Sequence, residues 1–177
     1  HDLGGECVFV YEIDKYARQT YEKNFFPMSP ELFASESFAL DVTQVDLGGV
    51  PDYNILCAGF PCQPFSQAGY KRGFHEEKDT RGNMFFEILK FVDAHQPDVL
   101  FLENVRHLKN HDDGRTFKTI EEEITKRGYS FNAKIVKASD FNLPQHRPRL
   151  YMVCFNCRIK NRDEIKFPEP VPLNYFM

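Results

Sequence analysis

Asp52-Tyr53-Asn54-Ile55-Leu56-Cys57-Ala58-Gly59-Phe60-Pro61-Cys62-Gln63-Pro64-Phe65-Ser66 joins an apolar run to a turn in which a cysteine stands between two prolines. The run reads as a buried strand over 54–58, because apolar residues crowd it and turn residues bound it. Pro61 and Pro64 constrain the backbone around Cys62, so its thiol is presented just past the carboxyl end of a strand. In an open α/β sheet that end is where ligands bind. The opposing reading is a small hydrophobe packed into a strand cap, the ordinary fate of a free cysteine. What separates the two is the company Cys62 keeps along the chain.

Strands and helices alternate on both sides of this segment. Cys7–Tyr11 reads as a strand ending at Glu12, and Asp14 is a good N-cap for a helix over 15–24. A short strand follows at 38–42. Residues 66–82 are polar, glycine-bearing and charged in both signs, the pattern of a functional loop. Asn83–His95 is an amphipathic helix with Phe85, Ile88, Leu89 and Val92 on its inner stripe. Pro97 ends it and opens a strand over 99–102, which leads to Glu103-Asn104. A helix using Phe117, Ile120 and Ile124 closes at Gly128, and two strands, 129–136 and 150–155, finish the pattern. The alternation predicts an α/β fold, a mostly parallel sheet with helices on both faces. With no helix between the last two strands, an antiparallel edge strand is expected.

Composition narrows the classes. At 177 residues, 42% of them hydrophobic and 18 of them Phe, the chain can bury a core as one domain or part of one. Its net charge of −4 gives no bulk attraction to nucleic acid, so any such partner needs local basic groups. Five irregularly spaced cysteines argue for a reducing compartment over a disulfide framework. With no membrane-length apolar run and no visible signal peptide, the reading is a cytoplasmic protein. Cys154 and Cys157 invite a zinc reading, but no second pair is suitably spaced, so no metal is expected. Cys154 is expected to face the core from its strand.

Four polar groups stand at strand ends: Glu12, Asp41, Cys62 and Glu103. Arg147 and Arg149 precede the last strand. Carboxylates ending consecutive early strands suit the hydroxyls or amino group of an adenosine-type cofactor. A thiol, a carboxylic acid and two guanidinium groups suit covalent attack on a polar heterocycle. Each feature alone also has a bland explanation, a helix cap for the carboxylates and a surface ion pair for the arginines.

Taken together they resemble the DNA (cytosine-5) methyltransferase family, of the bacterial restriction-modification type. Gly59-Phe-Pro-Cys-Gln-Pro-Phe-Ser66 resembles its nucleophile motif, Glu103-Asn-Val105 its Glu-Asn-Val motif, and Gln145-His-Arg-Pro-Arg149 its Gln-x-Arg-x-Arg motif. Tyr11-Glu-Ile-Asp14 and Asp41-Val42 resemble the two cofactor motifs after the family's glycine loop. Order and spacing agree over essentially the whole chain.

The resemblance implies an S-adenosylmethionine-dependent, Rossmann-like methyltransferase acting on C5 of a cytosine flipped out of double-stranded DNA, with S-adenosylhomocysteine as product. It implies that Cys62 adds to C6, that Glu103 serves N3, and that Arg149 and Arg147 hold the cytosine O2 and orient Glu103. The Glu103 role favours burial, which keeps the acid form available near neutrality. Glu12, Ile13, Asp41, Val42, Gly59 and Pro61 fall in cofactor-binding positions. Ser66, Lys71, Arg72 and Arg81 fall in the closing loop that meets DNA. No residue offers itself as the base that removes the C5 proton. A monomer is expected, with a cognate restriction endonuclease acting on the same site as a partner in the cell. An RNA cytosine-C5 methyltransferase on the same scaffold and an inactive nucleic-acid-binding fragment are the alternatives.

The pattern also departs from the family. Its first motif, a strand and glycine-rich turn for the methionine end of the cofactor, is not among these residues, and the family places that strand between those ending at Glu12 and Cys62. The expectation is a partial catalytic domain over 1–166, followed by an exit segment over 167–177 toward a target-recognition domain. The sheet would be completed by a segment outside these residues, and the fragment alone would have little cofactor affinity and no turnover.

Overall fold

The computed structural model describes residues 4–34, 37–61, 84–162 and 164–171. It contains two compact units, His1–Tyr53 and Asn54–Met177.

In the first unit, β1 (Val10–Tyr11) pairs in parallel with β2 (Phe38–Ala39), with Val10 opposite Phe38 and Tyr11 opposite Ala39. Helix α1 (Lys15–Phe25) starts where the sequence places it, because the Asp14 carboxylate accepts from the amides of Tyr16 and Ala17 at 3.0 and 2.7 Å. A short helix α2 (Pro30–Ala34) follows. Tyr21, Phe25, Phe33 and Phe38 form an aromatic cluster with ring centroids 4.5–6.1 Å apart. The expected strands were longer, 7–11 and 38–42. Apolar runs show where a strand can form, but ladder length depends on the neighbour, and here only two residues of each strand pair. Asp41 instead caps a 3₁₀ turn, Val42–Gln44.

The second unit is a four-stranded sheet built from β3 (Ile55–Gly59), β4 (Val99–Val105), β5 (Asn132–Lys137) and β6 (Pro148–Phe155). Their order is β3-β4-β6-β5. β3 and β4 are parallel, and β6 runs antiparallel to both β4 and β5. The antiparallel edge expected from the missing helix forms, with β5 outermost. Because the reversed strand β6 lies one place in, it makes two ladders antiparallel.

Side chains alternate across this sheet. Leu100, Leu102 and Asn104 of β4 and Leu150, Met152 and Cys154 of β6 are buried on one face. Two helices join them in one core cluster. α3 (Met84–His95) contributes Phe85, Ile88, Leu89 and Val92, and α4 (Arg115–Lys126) contributes Ile120 and Ile124. Gly128, at φ +82, takes the left-handed turn after α4 that a Cβ would strain. The other face carries Ile55, Phe101, Glu103, Val105 and Tyr151, and Phe101 there is 41% exposed. Among the described residues, both α-helices of this unit therefore cover the same face.

β4 runs through Glu103 and Asn104 to Val105, beyond the end expected at 102, because β6 pairs with its full length. β5 begins at Asn132 rather than 129. Tyr129 makes only a single bridge to Asn156 and turns its hydroxyl inward to donate to the Pro97 carbonyl at 2.7 Å. Residues 164–170 form neither helix nor strand, and the Val171 amide donates to the Asp140 carbonyl at 2.7 Å. No helix among the described residues is long and apolar enough to cross a membrane.

Candidate active site

The β3–β4 register brings the two most informative motifs together. Gly59, the last residue of β3, lies directly opposite Glu103. A Cβ at Gly59 would stand 3.3 Å from Glu103 Oε2, so the absent side chain makes room for that carboxylate. One residue on, the β4 side chain points to the other face. There Asn104, 2% exposed, donates from Nδ2 to the main-chain carbonyl of buried Phe60 at 2.8 Å and accepts the Val105 amide on Oδ1 at 2.8 Å. Asn104 thus satisfies the first carbonyl of the turn leading to Pro61 and Cys62. The sequence reading gave it no role. A polar residue inside an apolar strand run was the available signal, since burying one is costly without a partner.

The β4–β6 ladder supplies the next group. Arg149 is paired in register with Val105, diagonal to Glu103 on the same face. Its Nε lies 2.7 Å from Glu103 Oε1, and its Nη1 donates to the Pro148 carbonyl at 2.9 Å. The two side chains are 21% and 33% exposed, so the pair forms at the edge of solvent. Full burial of Glu103, favoured by its expected role, is not what this arrangement provides. The guanidinium holds one carboxylate oxygen, while Oε2 faces the Cβ-free space at Gly59. Arg147 is exposed and joins no ion pair among the described residues. It precedes the strand, so no ladder aims it at Glu103.

An open cavity of about 270 Å³ adjoins the pair, lined by Val105, Arg106, His107, His146, Pro148 and Arg149. A second, of about 260 Å³, continues over Arg106, His107, Lys109, Asn110 and Ile135. Arg106, His107, Lys109 and His146 have no acidic partner among the described residues. The chain is acidic as a whole, so this is a local basic strip.

In the other unit, Glu12 Oε1 accepts the Asp14 amide at 2.9 Å, and Asp41 Oδ1 accepts the amide and hydroxyl of Thr43 at 2.9 and 2.8 Å. Each carboxylate is thereby oriented, with its second oxygen unpartnered among the described residues. Ile13 is 72% exposed, while the Val42 side chain is buried. Pro61 is exposed. Cys62, Ser66, Lys71, Arg72 and Arg81 lie outside the described residues. Cys154 is buried as expected, and burial pushes its thiol up to about 12. No group of three or more potential metal ligands gathers among the described residues.

Residues 1–175 match the C-5 cytosine-specific DNA methylase family. The chain belongs to that family. It is 42% identical over 174 residues to the Type II methyltransferase M.HhaI of Haemophilus parahaemolyticus, covering 98% of this chain and 49% of that protein. It is 45% identical over 165 residues to the Type II methyltransferase M.NlaX of Neisseria lactamica, covering 93% and 48%. The chain thus spans about half the length of these curated relatives. Its fold resembles that of Spodoptera frugiperda DNMT2, with a TM-score of 0.65 and 22% identity over 97% of this chain and 51% of that one. A prophage-encoded DNA modification methyltransferase from E. coli gives a TM-score of 0.66 at 22% identity, covering 95% and 47%. The family is therefore the C5-cytosine methylases, its relatives are of the restriction-modification type, and the fold is the α/β methyltransferase fold.

Proposed function

We propose that this chain is the catalytic part of an enzyme that methylates C5 of a flipped-out cytosine in double-stranded DNA, using S-adenosylmethionine and the Cys62 thiol. The observation that carries the reading is the Glu103–Arg149 pair at 2.7 Å, on the strand beside the one that leads into Cys62.

C5 of cytosine is a poor nucleophile. Addition of the Cys62 thiolate to C6 turns the ring into an enamine whose C5 can attack an electrophilic methyl group. Glu103 serves N3, sharing or donating a proton as the sulfur–C6 bond forms. Arg149 holds the Glu103 carboxylate in one orientation and offers its remaining N–H donors to the base carbonyl. Transfer of the C5 proton to a base or to water then lets the sulfur–C6 bond break, which restores both the aromatic ring and the Cys62 thiolate. Because C6 is out of reach in a duplex, the base leaves the stack at a cost of a few kcal/mol.

The residues of the first unit fit an adenosine-type cofactor. Glu12 and Asp41 each keep one oxygen free for a hydroxyl or amino donor, and the exposed Ile13 offers an apolar surface for a ring. S-adenosylmethionine, when bound, supplies the methyl group as a sulfonium electrophile. For the nucleic acid, Arg106 and Lys109 in the strip beside Arg149 supply positive charge for phosphates, and His107 and His146 add polar ring nitrogens.

Transfer of labelled methyl groups tests the proposal, with the protein in its natural full length offered duplex DNA or RNA. Formation of 5-methylcytosine in DNA, falling by orders of magnitude in Glu103→Gln, is expected. Methylation of RNA alone, or of adenine, would overturn it.

A further inference from the structure

Arg18 projects from α1 to the carboxyl ends of both strands in its unit. Its Nη1 donates to the carbonyls of Glu12 at 3.1 Å and Ala39 at 2.6 Å, and its Nη2 donates to that of Phe38 at 3.1 Å. The guanidinium carbon also lies 3.9 Å from the centroid of the Phe38 ring, a cation–π contact. These bonds matter because the ladder itself is so short. Two residues pair on each strand, and the backbone bonds at its ends are Val10 N–H to Ser37 at 2.8 Å and Glu12 N–H to Ala39 at 3.2 Å. Two isolated strands hold each other weakly.

The clamped carbonyls lie where the chain turns toward its candidate ligand groups. A carbonyl fixes the peptide plane it belongs to. The Glu12 carbonyl sets the plane entering Ile13, and the Ala39 carbonyl sets the plane entering Leu40, one residue before Asp41. One guanidinium touches both planes, so it couples the positions of the Glu12 and Asp41 carboxylates. The planar fork holds three carbonyls at once in a fixed geometry, whereas an ammonium places its three donors on one nitrogen at the end of a flexible stem.

We propose that Arg18 is a positioning residue for cofactor capture, holding Glu12, Ile13 and Asp41 in the arrangement that receives the adenosyl group. The inference rests on the methyltransferase reading above. Calorimetric titration of the natural full-length protein with S-adenosylhomocysteine, without DNA, reads the site independently of turnover. Arg18→Met removes the fork and keeps most of the stem; Arg18→Lys keeps the charge and one donor group. The expected result is binding weakened about tenfold in Arg18→Met and less in Arg18→Lys, the size of one or two lost charge-assisted bonds. The KM for S-adenosylmethionine should rise in parallel, with kcat and the KM for DNA unchanged.

Leu32→Ala controls for general loosening, because Leu32 is buried in the same unit and makes no clamp bond. It should lower the melting temperature while leaving cofactor affinity intact. Equal loss of affinity in Leu32→Ala and Arg18→Met, or unaltered affinity in Arg18→Met, would overturn the proposal. So would failure of both Arg18 variants to fold, since Arg18 would then be a folding determinant. A native protein that binds no S-adenosyl ligand would remove the methyltransferase reading, and this inference with it.

Discussion

The Asn104 side-chain amide donates 2.8 Å to the main-chain carbonyl of Phe60, inside the core, and so joins the strand carrying Glu103 to the chain just before Cys62. A buried carbonyl left without its donor costs about 1–3 kcal/mol. Asn104→Ala should therefore lower stability by about that amount. It should also reduce kcat by about 10- to 100-fold, because the turn loses its anchor and small misplacements are expensive in catalysis. Urea melts and single-turnover rates measure the two effects separately. A variant that is destabilised yet turns over normally would show that the bond only supports the fold.

Gly59 and Arg149 act on Glu103 from opposite sides. Gly59→Ala places a methyl group 3.3 Å from Glu103 Oε2, which obliges the carboxylate to move by a few tenths of an ångström. Turnover should fall by about tenfold with little change in melting temperature, since neighbouring space absorbs the shift. Arg149→Lys, which replaces a fork by a point charge, should cost more, about 100-fold in kcat. The KM for S-adenosylmethionine should be spared in Arg149→Lys. Kinetics at saturating DNA decide between this and a general loss of structure.

The basic strip beside the site makes a claim about salt. If Arg106 and Lys109 each neutralise a phosphate, then Arg106→Ala and Lys109→Ala should each reduce the slope of log affinity against log salt by about 1. Sequence preference and kcat at saturation should not change. Fluorescence anisotropy with labelled duplexes between low and moderate salt measures the slope. An unaltered slope in both variants would place the DNA backbone elsewhere.

Alkaline stability follows from groups held neutral by burial. The Cys154 thiol is pushed from 9.0 to about 12, and the Tyr21 phenol from 10.0 to about 12 by burial and its contact with Cys7. Burial also raises the Tyr11 and Tyr129 phenols. As pH rises, the unfolded chain loses these protons first, so the native state binds more protons and stability falls with pH. The loss should begin near the unfolded thiol value, at about pH 9, and continue toward about 12. Urea midpoints across that range check it, and Cys154→Ala should flatten the slope.

What could be read from the residues differs by element. Helix α1 announced its start because Asp14 caps it locally, and α3 announced its inner face because Phe85, Ile88, Leu89 and Val92 recur at helical spacing. Glu103 and Arg149 were legible as motif members. The resemblance also implied that Arg149 orients Glu103, but the residues alone did not show how, because the contact depends on β6 pairing with all of β4. The same ladder separates Arg149 from Arg147, two residues that look equivalent in sequence. Arg18 was invisible for a related reason. On its helix it reads as a solvated charge, and its partners are main-chain carbonyls that no side-chain pattern encodes.

The proposed mechanism requires a covalent bond between Cys62 and cytosine C6. A duplex substituted with 5-fluorocytosine blocks departure of the C5 substituent, so the adduct accumulates once the methyl group has transferred. Incubation of the full-length protein with this duplex and S-adenosylmethionine, followed by peptide mapping by mass spectrometry, locates the bond. A DNA adduct is expected on the peptide containing Cys62 and none in Cys62→Ala. An adduct at another residue, or methylation of ordinary cytosine by Cys62→Ala, would contradict it.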